Sequence, residues 1–313
     1  MWWLIGGLLG LVAASGGGLL AFTWKVARGL LRPVRKLPEK TPQEVGLVME
    51  DVRIAGPRGA LAAWYLPARN NCTLICLHGV GDHRGQWLEQ VSLLHNRGGY
   101  GALLLDFPAH GESEGDIVTY GVFERDDVEA AVEWLRARGD VDMRGIGVMG
   151  YSLGAITATL AAASIPDLRA LIIESGFADL PRDIGRLFSR FTHLPSFPFA
   201  RLVIVWGEWM AGARLSQIRP ARVIGQISPR ATLIISDLAD GLADEPYDGE
   251  TLYAAAGEPK ELWQVAESSH INAFWRDPAS WLERVGDFLD RNLASQVEPE
   301  ELGELEELER RRA

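Results

Sequence analysis

Cysteine is almost absent. Only Cys72 and Cys76 occur in 313 residues, and both belong to the apolar run CTLIC. Residues four apart on an extended strand stand roughly 13 Å apart, too far for a disulfide. No disulfide framework therefore organises the chain, and the two cysteines read as buried thiols. His, Cys and Glu show no metal-ligand spacing, and the G-x-x-x-x-G-K-[ST] phosphate loop is missing; no cofactor and no metal is expected. Basic charge is scarce, with 31 Lys and Arg against 42 Asp and Glu, a net −11. Lys25, Arg28, Arg32, Arg35, Lys36 and Lys40 crowd into residues 25–40 opposite Glu39 alone, so the rest of the chain is more acidic still. Phosphate binding needs clustered Lys and Arg, which excludes nucleic acid as the main partner. No internal repeat is visible.

Charge is also lacking in the first 24 residues, MWWLIGGLLGLVAASGGGLLAFTW. A helix from Trp2 to Trp24 would run about 33 Å, close to the ~30 Å hydrocarbon core of a bilayer, with tryptophan at both ends. No Lys or Arg precedes the run, as a secretory signal would require. Residues 1–24 are therefore expected to be a retained, single-pass transmembrane anchor. Residues 25–45, basic and punctuated by Pro33, Pro38 and Pro42, are expected to be its linker. The positive flank then places the rest of the chain in the cytoplasm; cleavage near Ala13–Ser15, with export, is the alternative.

What is present is an alternation. VMEDVRIAG and ALAAWYLPA alternate like a hairpin at a sheet edge. CTLICLHG, GALLLDFPAHG, GIGVMGYS, RALIIESG, ATLIISD and ELWQV are short, nearly continuous apolar runs separated by segments with helix spacing. Continuous apolar strands between helices imply a mostly parallel sheet covered on both faces. The expectation is an α/β, doubly wound, eight-stranded domain over residues 46–293. Residues 177–229, rich in Phe, Trp and Arg, are too long for an ordinary connection and read as a helical cap. Residues 294–313 form a charged C-terminal tail.

Chemistry in an open α/β sheet collects at the carboxyl ends of the strands. There Gly150-Tyr151-Ser152-Leu153-Gly154 lies between an apolar strand and a helix. A nucleophile elbow strains its serine and needs tiny residues two before and two after, which Gly150 and Gly154 supply. A serine hydroxyl needs a base. Of the six histidines, His78 and His110 sit in glycine turns and read as structural, His95 is on a helix, His193 is in the cap, and His83 follows the third strand. His270 follows the last strand and is the best base. The base needs a carboxylate to fix its tautomer, and the seventh strand runs into Asp237, Asp240, Asp244, Glu245 and Asp248. Composition does not choose among them. An oxyanion hole needs backbone N–H groups; Leu153, opening the elbow helix, and Val80, in the glycine loop HGVGDHRG, are the candidates.

These residues resemble the α/β-hydrolase superfamily, and most nearly its serine aminopeptidase-like and lysophospholipase-like members. The likeness rests on Leu77-His78-Gly79-Val80-Gly81, Asp106-Phe107-Pro108-Ala109-His110-Gly111-Glu112-Ser113, the elbow, and the block from Ile234 to His270. It lies within residues 48–292. Members often carry L-I-I-H-G-x-x-D after the seventh strand, with L-Y a dozen residues on. Here Leu233-Ile234-Ile235-Ser236-Asp237-Leu238-Ala239-Asp240 and Leu252-Tyr253 fall in step, so the resemblance selects Asp240 as the triad acid. The usual His-Gly pair is Ser236-Asp237, which keeps Asp237 open as the alternative.

The resemblance implies a serine hydrolase acting through Ser152, Asp240 and His270 and an acyl-enzyme on a small-molecule acyl substrate. Phe188, Phe191, Phe197, Phe199, Trp206 and Trp209 of the cap, with the anchor, suit a lipophilic acyl compound; packing of the cap's own underside is the equal alternative reading. A peptidase of the same fold and a non-catalytic scaffold or binding protein remain as alternatives.

Overall fold

The computed structural model describes residues 2–244 and 246–297, with side chains from residue 16 onward. Helix α1 (Trp2–Leu31) precedes the antiparallel hairpin β1 (Glu50–Gly56) and β2 (Gly59–Leu66). The chain then alternates through β3 (Thr73–Leu77), α2 (Leu88–Gly98), β4 (Gly101–Leu105), α3 (Glu124–Arg136), β5 (Ile146–Tyr151), α4 (Leu153–Ser164) and β6 (Ala170–Glu174). Helices α5 (Leu180–Thr192) and α6 (Ser196–Ala211) follow, then β7 (Ala231–Asp237), α7 (Tyr247–Ala255), β8 (Lys260–Val265), α8 (Ala273–Arg276) and α9 (Pro278–Asn292).

The eight strands form one sheet in the order β1-β2-β4-β3-β5-β6-β7-β8, parallel from β4 through β8. The expected α/β architecture holds. Every residue of β3, β4, β5 and β6 is buried, which is why these strands are unbroken apolar runs rather than alternating ones. Two apolar layers result, one on each face of the sheet. Cys72 and Cys76 are buried and unpaired. Helix α5, α6 and three short 3-10 turns occupy the expected cap between β6 and β7.

The N-terminus differs from expectation. The helix does not stop at Trp24 but continues to Leu31. Thr23, Ala27 and Leu31 are buried, and the Phe22 ring meets Phe188 of α5 edge-on, with centroids 6.1 Å apart. The last carbonyls of α1 are taken up by the body: Val118 N–H donates to Leu31 O at 2.9 Å and Tyr120 Oη to Leu30 O at 3.1 Å. Residues beyond 31 are docked as well. Arg35 Nη1 donates to the carbonyls of His110, Gly111 and Ser113 at 2.8, 2.8 and 2.7 Å, and Nη2 to that of Gly115 at 2.8 Å. Lys40 pairs with Glu89 at 2.7 Å and Arg32 with Asp116 at 3.2 Å. Part of the basic cluster thus fixes this segment to the acidic body. The expected anchor falls partly on residues 1–15, whose side chains lie outside the described residues. Among the described residues no helix is long and apolar enough to cross a membrane. Of the expected tail, 298–313 lies outside the described residues, while Ala294–Gln296 forms a 3-10 turn and Val297 is buried.

Candidate active site

Ser152 stands where β5 ends and α4 begins, with φ 50° and ψ −107°. A non-glycine residue with positive φ outside the left-handed helical well is strained, and the surroundings enforce it. A Cβ at Gly150 would collide with the Gly154 backbone, and one at Gly154 with the Leu77 carbonyl. Glycine at these two positions is a steric requirement of the turn.

His270 lies in the loop between β8 and α8. Its Nδ1 is 2.6 Å from Asp240 Oδ2. The Asp240 side chain is fully buried while His270 retains 16% exposure. Burial by itself would raise the Asp240 carboxyl, but the hydrogen bond and charge of His270, with the Leu242 N–H, outweigh it and hold that carboxyl below the usual carboxylate range. Leu242 and Ala243 N–H groups donate to Asp240 Oδ1 at 2.6 and 3.0 Å. The histidine's partner is therefore Asp240 and not Asp237. Asp237 ends β7, is buried, and accepts a hydrogen bond from Ser175 Oγ at 2.8 Å on its Oδ2. Asp248 accepts from Ala178 N–H at 3.1 Å and pairs with Arg182, a role inside the cap base. Glu245 lies outside the described residues.

The loop after β3 is shaped to present one free N–H. Gly79 N–H donates to Gln86 Oε1 at 2.9 Å, and Gly81 N–H to His110 Nε2 at 2.9 Å. Between them, Val80 N–H has no acceptor among the described residues, and neither has Leu153 N–H at the start of α4. A Cβ on Gly79 would stand 3.7 Å from Ser152 Cβ, so this loop passes directly over the nucleophile candidate. His110 fixes the loop with Nδ1 donating to Pro108 O at 2.9 Å. His78 is fully buried, accepts from Phe107 N–H at 3.0 Å and donates to Gly79 O at 2.7 Å. Burial, then His110 beside it, pushes His78 down to about 3. Both histidines are neutral props, as the glycine turns suggested.

Sequence reasoning passed over the residues that join these parts. Glu174, the last residue of β6, accepts Ser152 N–H on its carbonyl at 3.0 Å and Ala273 N–H on its carboxyl at 3.0 Å. Ser175, with φ 52°, accepts Ile271 N–H on its Oγ at 3.1 Å while donating to Asp237. The loop carrying His270 is thereby fastened to the elbow. Burial, then the neighbouring Asp237, raises the Glu174 carboxyl well above the usual range, and burial raises Asp237 as well. Trp281 lies beside the Glu174 carboxyl and Ser268 beside that of Asp237. A visible signal existed, because Glu174 is an acid closing an otherwise apolar strand. Arg84 was also missed. It is buried with Asp106, which accepts the Arg84 N–H at 2.6 Å and pairs with its guanidinium.

Tyr151 and His270 line one cleft of about 430 Å³ together with His83, Gln86, Asn272 and Trp275. Ser152 Oγ and His270 Nε2 have no hydrogen-bond partner among the described residues. Such contacts commonly tighten only with substrate in place. A larger cavity of about 640 Å³ between α5 and α6 contains none of the reactive groups. No group of His, Cys, Asp and Glu among the described residues could hold a metal ion.

The model of the X-Pro dipeptidyl-peptidase family, S15, matches residues 78–281, about two-thirds of the chain. The chain belongs to the S15 family. Its fold is that of the α/β-hydrolase superfamily, and it is a hydrolase of that fold. The matched region starts at His78, in the loop that presents Val80, and extends past His270. The Pyrococcus furiosus esterase Pf2001 is similar over 84% of this chain and 98% of its own, with a TM-score of 0.71 and 26% identity. Among curated relatives, Rv2307c of Mycobacterium tuberculosis is 27% identical over 90% of this chain and 94% of its own. YqkD of Bacillus subtilis is 28% identical over 70% and 71%. Both relatives are described as uncharacterized.

Proposed function

We propose that the protein is a serine hydrolase that cleaves carboxylic esters. Ser152 Oγ adds to the substrate carbonyl while His270 Nε2 takes its proton. Asp240 fixes the tautomer of His270 and stabilises the imidazolium that forms. The oxygen of the tetrahedral intermediate takes its charge against the Val80 and Leu153 N–H groups. The bond to the leaving alcohol breaks as His270 returns the proton to it. A water, deprotonated by His270, then attacks the acyl-Ser152, and the proton goes back to Ser152 as the acid departs. The observation that carries this reading is the 2.6 Å pairing of His270 with Asp240 on a loop that Glu174 ties to the Ser152 elbow. The likeness to an esterase supports the ester as substrate class.

A second reading, hydrolysis of a peptide bond after proline, is favoured by the family match over residues 78–281. The test compares p-nitrophenyl esters with Xaa-Pro anilides on the same preparation. Ester turnover at least a hundredfold above anilide turnover in kcat/KM is the expected result, and the reverse order selects the peptidase.

A further inference from the structure

An apolar cavity of about 290 Å³ lies between α1, the cap and the body. Val26 and Leu30 of α1 form one wall, and Ile184 and Leu187 of α5 face them. Phe177 also lines it, and its ring lies against that of His270, with centroids 6.5 Å apart and 19° between planes. The cavity is thus one aromatic ring away from the candidate base. Leu30 and Phe191, 37% and 64% exposed, stand at its outer end.

The lining offers a ligand nothing to hydrogen-bond. Its two hydroxyls are already engaged: Tyr120 Oη donates to Leu30 O, and Thr192 Oγ1 to Phe188 O at 2.7 Å. A polar group placed here would lose its water without replacement, which is costly, whereas methylene groups gain from burial. An engineered cavity of about 150 Å³ accepts benzene, so this one takes a chain on the order of ten carbons.

We propose that this cavity is the acyl-chain subsite and that the N-terminal helix is one of its walls, making the substrate a medium-chain acyl ester. The inference rests on the ester-hydrolase reading. The polar cleft that His270 itself lines, with Asp82, His83, Gln86 and Asn272, then receives the leaving alcohol. Helix α1 acts in this account as a specificity element, since removing Val26 and Leu30 would open the cavity along its length.

The experiment uses the full chain and p-nitrophenyl acetate and decanoate, with active sites counted by fluorophosphonate titration. Val26→Trp, which fills the cavity from α1, is expected to lower the decanoate-to-acetate ratio of kcat/KM at least tenfold. Leu187→Ala, which enlarges it, is expected to move the preferred chain beyond decanoate. Calorimetry of decanoate with the Ser152→Ala protein reads the cavity without turnover, and Val26→Trp in that background is expected to weaken binding at least tenfold. Turnover of both esters with a ratio that neither variant moves overturns the subsite and leaves the ester reading standing. Decanoate binding that Val26→Trp abolishes, in a protein that hydrolyses neither ester, overturns the ester reading and keeps the subsite.

Discussion

The Glu174 carboxyl accepts the Ala273 N–H at 3.0 Å, while the carbonyl of the same residue accepts the Ser152 N–H at 3.0 Å. One residue at the end of β6 therefore sets the spacing between the elbow and the loop that bears His270. Because burial pushes its carboxyl well above the usual carboxylate range and so favours the neutral form, an amide of the same shape should serve as well. Glu174→Gln is expected to keep kcat within about threefold. Glu174→Ala leaves the Ala273 N–H buried without a partner, a loss of about 1–3 kcal/mol, and should lower kcat at least tenfold while KM moves little. Steady-state kinetics on both variants, with the melting temperature as a folding control, checks this.

The same pair predicts a pH dependence of stability. Glu174 and Asp237 both have carboxyls raised in the folded protein, so the native state holds protons that the unfolded chain has released. Their contribution is fully present below the ordinary carboxylate range and is lost as pH rises through the raised values. Denaturant midpoints of the wild type should therefore fall from about pH 5 upward, and the fall should be shallower in Glu174→Gln. Equal slopes in the two proteins would contradict a raised Glu174 carboxyl.

The two aspartates separate by function. Asp240→Asn removes the acceptor that fixes His270 and is expected to reduce kcat by on the order of 10³–10⁴, as loss of a triad acid does elsewhere. Asp237→Asn can still accept from Ser175 and should cost less than tenfold. Measuring kcat for both at one pH decides the matter, and a larger loss in Asp237→Asn would reverse the assignment.

The elbow glycines are predicted to be intolerant of the smallest addition. Gly150→Ala and Gly154→Ala each push a methyl into backbone that cannot retreat, and should cost about 3 kcal/mol or more, the upper end of overpacking penalties. Chemical denaturation gives the figure directly.

Much of this was legible in the sequence, for physical reasons. Parallel strands buried on both faces must be continuous apolar runs, so the strands could be read from composition alone. The elbow was legible because its strain leaves no residue but glycine at 150 and 154. The acid was harder. Asp237 and Asp240 lie three apart where β7 runs out, and only the fold shows that Asp237 ends β7 facing Ser175 while Asp240 turns toward His270. What the N-terminal sequence did not show is that its helix continues to Leu31 and packs its last turns on the body, because an apolar helix with a basic flank has the same composition whether it meets lipid or a protein surface. The Arg35 bonds to four carbonyls depend on partners some eighty residues away, and the burial of Ala27 and Leu31 on elements as distant as α6, which no local pattern reveals.

The central claim is that Ser152 is a nucleophile activated by His270, and covalent capture tests it most directly. Folded wild-type protein treated with a fluorophosphonate should gain one adduct by intact mass, mapped to Ser152, and Ser152→Ala should gain none. Folded wild-type protein that takes no label, or Ser152→Ala protein that labels equally, would contradict the account.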